Sequence, residues 1–246
     1  MVTASGEVMQ PISLRAPRTI PLTQAAEYPA LAREGARPSL REAFVVTVLS
    51  MAAMVGLYSG LDGRNAALAP SALFRPATSL DAALPLVVPL VWVYYAYFPL
   101  TVSIHLVTRR DRALLYEAFA GYLTLAIVGF AFFALLPSQM TQPSLAACTS
   151  ADCAALDLMY RSDQGFNAFP SMHVAYSVFV ASFFWDHARR WSPVPIALAL
   201  GIAASTVLCK RHFLVDVPAG AALAFAARPL ARRAGGHLAR ALEILR

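Results

Sequence analysis

Six apolar runs, separated by arginine-bearing segments, constrain this chain more than anything else in it. They cover residues 42–60, 83–107, 113–136, 172–186, 193–209 and 214–228. A helix that crosses a bilayer needs about 20 predominantly apolar residues. The first three runs meet that length, and the last three are shorter because polar residues occupy their ends. In lipid, backbone polar groups must be paired within the segment, so helices are the expected form. The fold class that follows is all-α: a polytopic membrane protein with six transmembrane helices in a bundle. Composition agrees, with 58% hydrophobic and only 14% charged residues, where a soluble domain carries about 25% charged.

The net charge of +6 comes from nineteen arginines and a single lysine, Lys210. A basic balance points to nucleic acid or to a membrane surface. Its placement decides for the membrane: 15 basic residues precede run one, separate runs two and three or four and five, or follow run six. The opposite side holds only Arg64, Arg75, Arg161, Lys210 and Arg211. By the positive-inside rule both termini are cytoplasmic, and no nucleic-acid partner is expected. Residues 1–39 are polar and proline-rich without an apolar signal-peptide core. They read as a flexible cytoplasmic extension, either a plain tail or one with a short membrane-lying helix over 24–33. Residues 40–230 form the membrane domain, and 231–246 a basic cytoplasmic tail.

Pro85, Pro89 and Pro99 interrupt the second run, so its spanning part begins near Pro85 or Pro89, after an interfacial lead-in over 78–84. Its cluster of Trp92, Tyr94, Tyr95, Tyr97 and Phe98 fits an interfacial belt, or the wall of a groove through which lipid reaches a site. The segment 138–169 falls on the external side. There Cys148 and Cys153 form a disulfide or remain two free thiols. Cys209 reads as a buried small residue, and His105 and His187 as structural or interfacial.

The chemistry concentrates between Asn167 and Asp216. Pro170-Ser171-Met172-His173 opens the fourth run, and Ser205-Thr206 precedes His212 and Asp216. Two spans joined by a cytoplasmic turn bring both histidines to one membrane face, the external or periplasmic one. A histidine pair backed by a carboxylate is equipment for cleaving a phosphate ester. A neutral imidazole attacks phosphorus, an adjacent carboxylate fixes its tautomer, and a second histidine protonates the departing oxygen. Asp216 lies about one helical turn from His212. Ser171, Lys210, Arg211 and Arg161, with Ser205, are the candidate phosphate-binding groups. No metal-ligand spacing is present, and no cofactor is expected.

These residues resemble the type 2 phosphatidic acid phosphatase superfamily. Its second motif, Pro-Ser-Gly-His, is matched except for Met172. Its third, Ser-Arg, five residues, His, three residues, Asp, is matched except for Thr206. Its first, with Lys and Arg-Pro, is missing, and Gln139 and Gln142 stand where cations belong. The resemblance spans about residues 80–226 and implies His212 as nucleophile, Asp216 as its partner and His173 as general acid. It implies a metal-free enzyme of the cytoplasmic (inner) membrane acting on a lipid phosphate, with transfer to water or to an alcohol or polyol acceptor. The wording around Asn167 and after His212 is similar to the branch that includes inositol phosphorylceramide synthases, which would place the chain in sphingolipid or phospholipid metabolism. Two rival readings remain: a non-catalytic transporter or scaffold binding a lipid headgroup, and a polyprenyl-phosphate phosphatase.

Overall fold

Residues 37–244 are described by a computed structural model. The Ser39 side chain accepts from the Glu42 N–H at 3.1 Å and starts helix α1, Leu40–Ala66. Much of its apolar surface, including Leu40, Phe44, Leu49 and Val55, is exposed. An apolar helix that buries so little against protein needs lipid around it. The stretch 24–33, read as plain tail or short helix, lies outside the described residues.

The expected lead-in is present as α2, Ser79–Ala83, closed by a capping box between Thr78 and Asp81. The second run then proceeds in short pieces, as the prolines require. A 3₁₀ turn over Val88–Leu90 is followed by α3, Val91–Tyr95, α4, Tyr97–Ser103, and α5, His105–Thr108. Asp111 caps α6, Arg112–Leu135. The segment 138–169 holds a helix that the run pattern did not anticipate, α7, Ala151–Ser162, capped by Ser150. Arg161 therefore sits on a helix. Cys148 and Cys153 are joined by a disulfide with Cα atoms 5.9 Å apart, which ties the preceding coil to the first turn of α7. The motif helices follow: α8, Met172–His187, α9, Pro193–Leu208, and α10, Asp216–Ile244.

Among the described residues the fold is all-helical, with only isolated bridges at Ser138. Three segments are long and apolar enough to cross a membrane: Leu40–Ala66, Val88–Thr108 and Arg112–Leu135. α9 is apolar but shorter. α10 begins at Asp216 and runs as one helix through the proposed boundary at residue 231.

α10 packs most extensively on α6, and α8 lies against both α9 and α10. Phe133, Phe179, Phe183, Leu125 and Ile202 fill the space between them. Two glycines set close approaches. Gly129 on α6 leaves room for the Met172 thioether, because a Cβ there would lie 2.3 Å from its sulfur. A methionine in the second motif is thus accommodated by a missing side chain opposite. Gly220 on α10 lets the backbone of Ser171 approach so closely that a Cβ would meet its carbonyl oxygen at 2.3 Å. Gly220→Ala is expected to cost about 1–3 kcal/mol, as overpacking against rigid backbone does. Thermal unfolding in detergent measures it, and an unchanged midpoint would remove this contact from the account.

At the other end of α8 lies a partly buried ionic cluster. Arg228 Nη1 meets Glu117 at 2.9 Å and Nη2 meets Asp186 at 2.6 Å, while His187 Nε2 lies 3.3 Å from Glu117. These groups come from α6, α8 and α10, too far apart in sequence for a local pattern to reveal. His105 is also structural in its contacts, bonded to Thr47 at 3.0 Å.

Candidate active site

His212 stands in the turn between α9 and α10, at the mouth of α10. Its Nδ1 lies 2.8 Å from the Ala168 carbonyl oxygen and 3.3 Å from Asp216 Oδ2. Both partners only accept, so in the neutral ring Nδ1 carries the proton and Nε2 presents its lone pair. Asp216 is completely buried and also accepts from the Phe213 N–H at 2.8 Å. A carboxyl group placed so deep must be held by such bonds. The Ala168 carbonyl is itself fixed from behind. Ser138 Oγ accepts from the N–H groups of Ala168 at 3.0 Å and Phe169 at 2.8 Å.

His173 is brought to the same place by the start of α8. Ser171 caps that helix, its Oγ accepting from Val174 N at 3.4 Å, and its own N–H donates to the Asp216 carbonyl at 3.2 Å. The two motifs are therefore joined backbone to backbone. His173 Nδ1 lies 3.5 Å from His212 Nε2. On its other side, His173 Nε2 lies 2.7 Å from the Tyr94 hydroxyl, and the Tyr97 ring packs on the imidazole with centroids 4.6 Å apart. A Tyr94 hydroxyl that donates to Nε2 leaves the His173 proton on Nδ1, facing His212.

Arg211 closes the third side. It is 3% exposed, with Nη2 at 2.5 Å from Asp163 Oδ2 and Nη1 at 2.7 Å from the Asp163 carbonyl. Its Nε has no hydrogen-bond partner among the described residues. Burial raises the Asp163 pKa, but the Arg211 guanidinium, with the Tyr58 hydroxyl and the Gly165 N–H, outweighs it and holds the carboxyl down at about 2. The stabilisation this pair contributes is complete above the ordinary aspartate value of about 3.9 and is lost as pH falls through about 2. The pair stays charged across the neutral range. A small cavity is bounded by Tyr58, Phe133, Asp163, His173, Arg211 and His212.

Of the groups expected at phosphate, Arg211 alone lines this cavity. Lys210 adopts φ 53° and donates to the carbonyls of Asp81 at 2.9 Å and Leu84 at 2.7 Å. Its position after α9 turns it towards α2 rather than the histidines. Arg161 pairs with Asp157 at 2.7 Å on an exposed face of α7. Ser205 is wholly buried and donates to the Ile202 carbonyl at 2.8 Å. Thr206, where the motif has arginine, donates to the Ala203 carbonyl at 2.8 Å. Gln142 reaches the Asp163 carbonyl at 2.9 Å and so belongs to the network around Arg211, while Gln139 accepts from Arg75. Among the described residues, no group of three or more His, Cys, Asp and Glu side chains is placed to hold a metal ion.

Sequence reading missed Tyr94, Ser138, Ala168 and Asp163. The spacing of Tyr94 and Tyr97, three residues apart, put both on one helix face, but nothing local says which way that face turns. For α7 the signal was present: a Ser150 cap, then Cys153, Leu156, Met159 and Tyr160 recurring at helical spacing, all buried.

No curated protein and no solved structure matches the chain. A family model described as the PAP2 superfamily matches residues 71–230, from the turn after α1 to the middle of α10. The match takes in both histidines, Asp216 and the helices that bring them together, and on this ground the chain belongs to the PAP2 superfamily.

Proposed function

We propose that this protein is a membrane-embedded enzyme that cleaves a lipid phosphate ester through a phosphorylated His212. Members of the PAP2 superfamily are generally phosphatases or phosphotransferases, and the coarser reading, phosphoester hydrolysis or transfer, follows from membership. The observation that carries the finer one is the His212 ring, with Nδ1 bonded to Ala168 and Asp216 and Nε2 facing His173 across 3.5 Å.

In the first half-reaction, His212 Nε2 forms a bond to phosphorus as the ester P–O bond breaks. With substrate bound, His173 carries a proton on each ring nitrogen, Nε2–H donating to the Tyr94 hydroxyl, and its Nδ1 proton goes to the departing oxygen, leaving a neutral ring. Asp216 steadies the positive charge that develops on His212, and Arg211 faces the phosphoryl oxygens. In the second, His173 takes a proton from water or an alcohol, whose oxygen attacks phosphorus as the P–N bond breaks. Seating a phosphoryl group on Nε2 requires the two rings to part, since 3.5 Å is no more than a hydrogen-bond separation.

The six apolar segments would each cross the bilayer, with both termini cytoplasmic and the histidines on the outer face of the cytoplasmic membrane. α8 and α9, 16 residues each, then reach across with their polar ends and flanking loops. The branch resembling inositol phosphorylceramide synthases favours an alcohol or polyol as acceptor. Product analysis with purified protein, a phospholipid donor and candidate alcohols tests this. A phosphoalcohol among the products supports transfer, and free phosphate alone assigns hydrolysis. A lipid-headgroup scaffold would release neither.

Tyr94→Phe keeps the ring and removes the hydroxyl from His173. Turnover of substrates with alkoxide leaving groups is expected to fall about 10- to 100-fold, with little change for a nitrophenyl ester, whose leaving group needs no acid. Equal losses on both would remove Tyr94 from proton transfer.

A further inference from the structure

α8 carries His173 at its start, so residues 184–198, at and beyond its far end, mark the end of the bundle away from the histidines. There the second-run segment and the α8–α9 pair leave an open apolar groove. Pro99, Leu106, Phe184, Val194 and Leu198 form its walls, with Ser103 the small residue part way along. Arg109 and Arg110 stand at its end, and Trp191 lines it from the opposite wall. The turn that contributes Trp191 also bears Arg189 and Arg190.

These four arginines differ from Arg228 and Arg232. Arg228 and Arg232, beside a second groove between α8, α9 and α10, are neutralised by Asp186 and Glu117. Arg109, Arg110, Arg189 and Arg190 are exposed and form no ion pair among the described residues. The adjacent carboxylate, Asp111, caps α6 by accepting from the Ala113 N–H at 2.8 Å. Arg189 lies over the Trp185 ring at 3.8 Å and Arg190 over Trp191 at 5.1 Å, contacts that hold guanidinium groups in place without cancelling their charge. An apolar trough ending in unpaired guanidinium groups is complementary to one kind of molecule, with a hydrocarbon chain and a phosphate at its head.

We propose that this groove binds an anionic phospholipid of the surrounding membrane, one acyl chain lying along Ser103 and Leu198 and the phosphate held by Arg109 and Arg110. The site is separate from the histidine cavity and does not depend on the reaction assigned there. Arginines that served only to orient the chain in the bilayer would need no groove beside them, and that difference makes the proposal testable.

The full chain is reconstituted in phosphatidylcholine nanodiscs containing a minority of phosphatidylglycerol, and lipid retained through detergent extraction is counted by native mass spectrometry. Arg109→Gln/Arg110→Gln is expected to lower phosphatidylglycerol retention about 5-fold or more, the worth of one arginine against an anionic surface. Ser103→Phe, which fills the groove and keeps every charge, is expected to lower it similarly. Arg233→Gln/Arg240→Gln, which removes the same charge from α10, is expected to leave it unchanged. A loss as large in the α10 variant, or no loss with Ser103→Phe, overturns the proposal in favour of diffuse attraction. Should the arginine variant not fold, the wild-type protein decides. Phosphatidylglycerol with brominated chains is expected to quench the emission that Trp191→Phe removes more strongly than brominated phosphatidylcholine does, and equal quenching overturns the site.

Discussion

His212→Ala is expected to lower turnover by about 10⁴-fold or more, since removing a nucleophile from a group that acts as a unit forfeits nearly all of its contribution. The wild-type protein, quenched during turnover of a ³²P-labelled lipid phosphate, should carry label that is stable to alkali and released by acid, as expected of a phosphorus–nitrogen bond. The His212→Ala protein should carry none. His173→Ala leaves the nucleophile in place, so it should still trap label from a nitrophenyl ester while losing turnover on alkyl esters. Wild-type protein that turns over rapidly without trapped label, and His212→Ala that keeps its rate, would together remove the covalent route. The geometry supporting this expectation is specific. A ring whose Nδ1 faces a carbonyl at 2.8 Å has only Nε2 left to offer.

Arg211→Met is expected to cost about 10²- to 10³-fold in turnover, the usual loss when one oxyanion-stabilising donor is removed. It should also destabilise the protein by about 3–5 kcal/mol, because Asp163 is left as a buried charge without its partner. Those two effects come apart in a double variant. Arg211→Met/Asp163→Asn removes both charges and should recover much of the stability, while turnover stays low. Activity returning together with stability would assign Arg211 a purely structural role and leave the phosphate charge to be met elsewhere. Thermal unfolding and kcat measured on the same preparations separate the outcomes.

The parts of this protein legible in its sequence were those written locally. Apolar runs located the helical segments, and prolines 85, 89 and 99 announced a segmented second run. Motif spacing selected His173, His212 and Asp216 as residues to compare in space. What could not be read depends on which way a side chain turns once the helices are packed. Lys210 and Arg211 are neighbours with equal charge, yet one reaches the carbonyls of α2 and the other lines the cavity. The left-handed backbone at Lys210 diverts its side chain, and no pattern of residue types signals that. The ionic cluster at Glu117 was hidden because its members come from three helices distant in sequence. Tyr94 was hidden because five aromatic residues between 92 and 98 looked alike.

The strap formed by α2 grips the turn that bears His212 at several points. Lys210 Nζ bonds to Asp81 and Leu84, the Leu214 N–H donates to Asp81 Oδ1 at 2.7 Å, and the Val87 N–H donates to the Leu208 carbonyl at 3.0 Å. Because Lys210 is the chain's single lysine, that clasp coincides with its one side-chain amine, two residues from the proposed nucleophile. An amine-selective acylating reagent would modify its side chain only during moments when the clasp is undone, so the labelling rate becomes a clock for how often the turn is released.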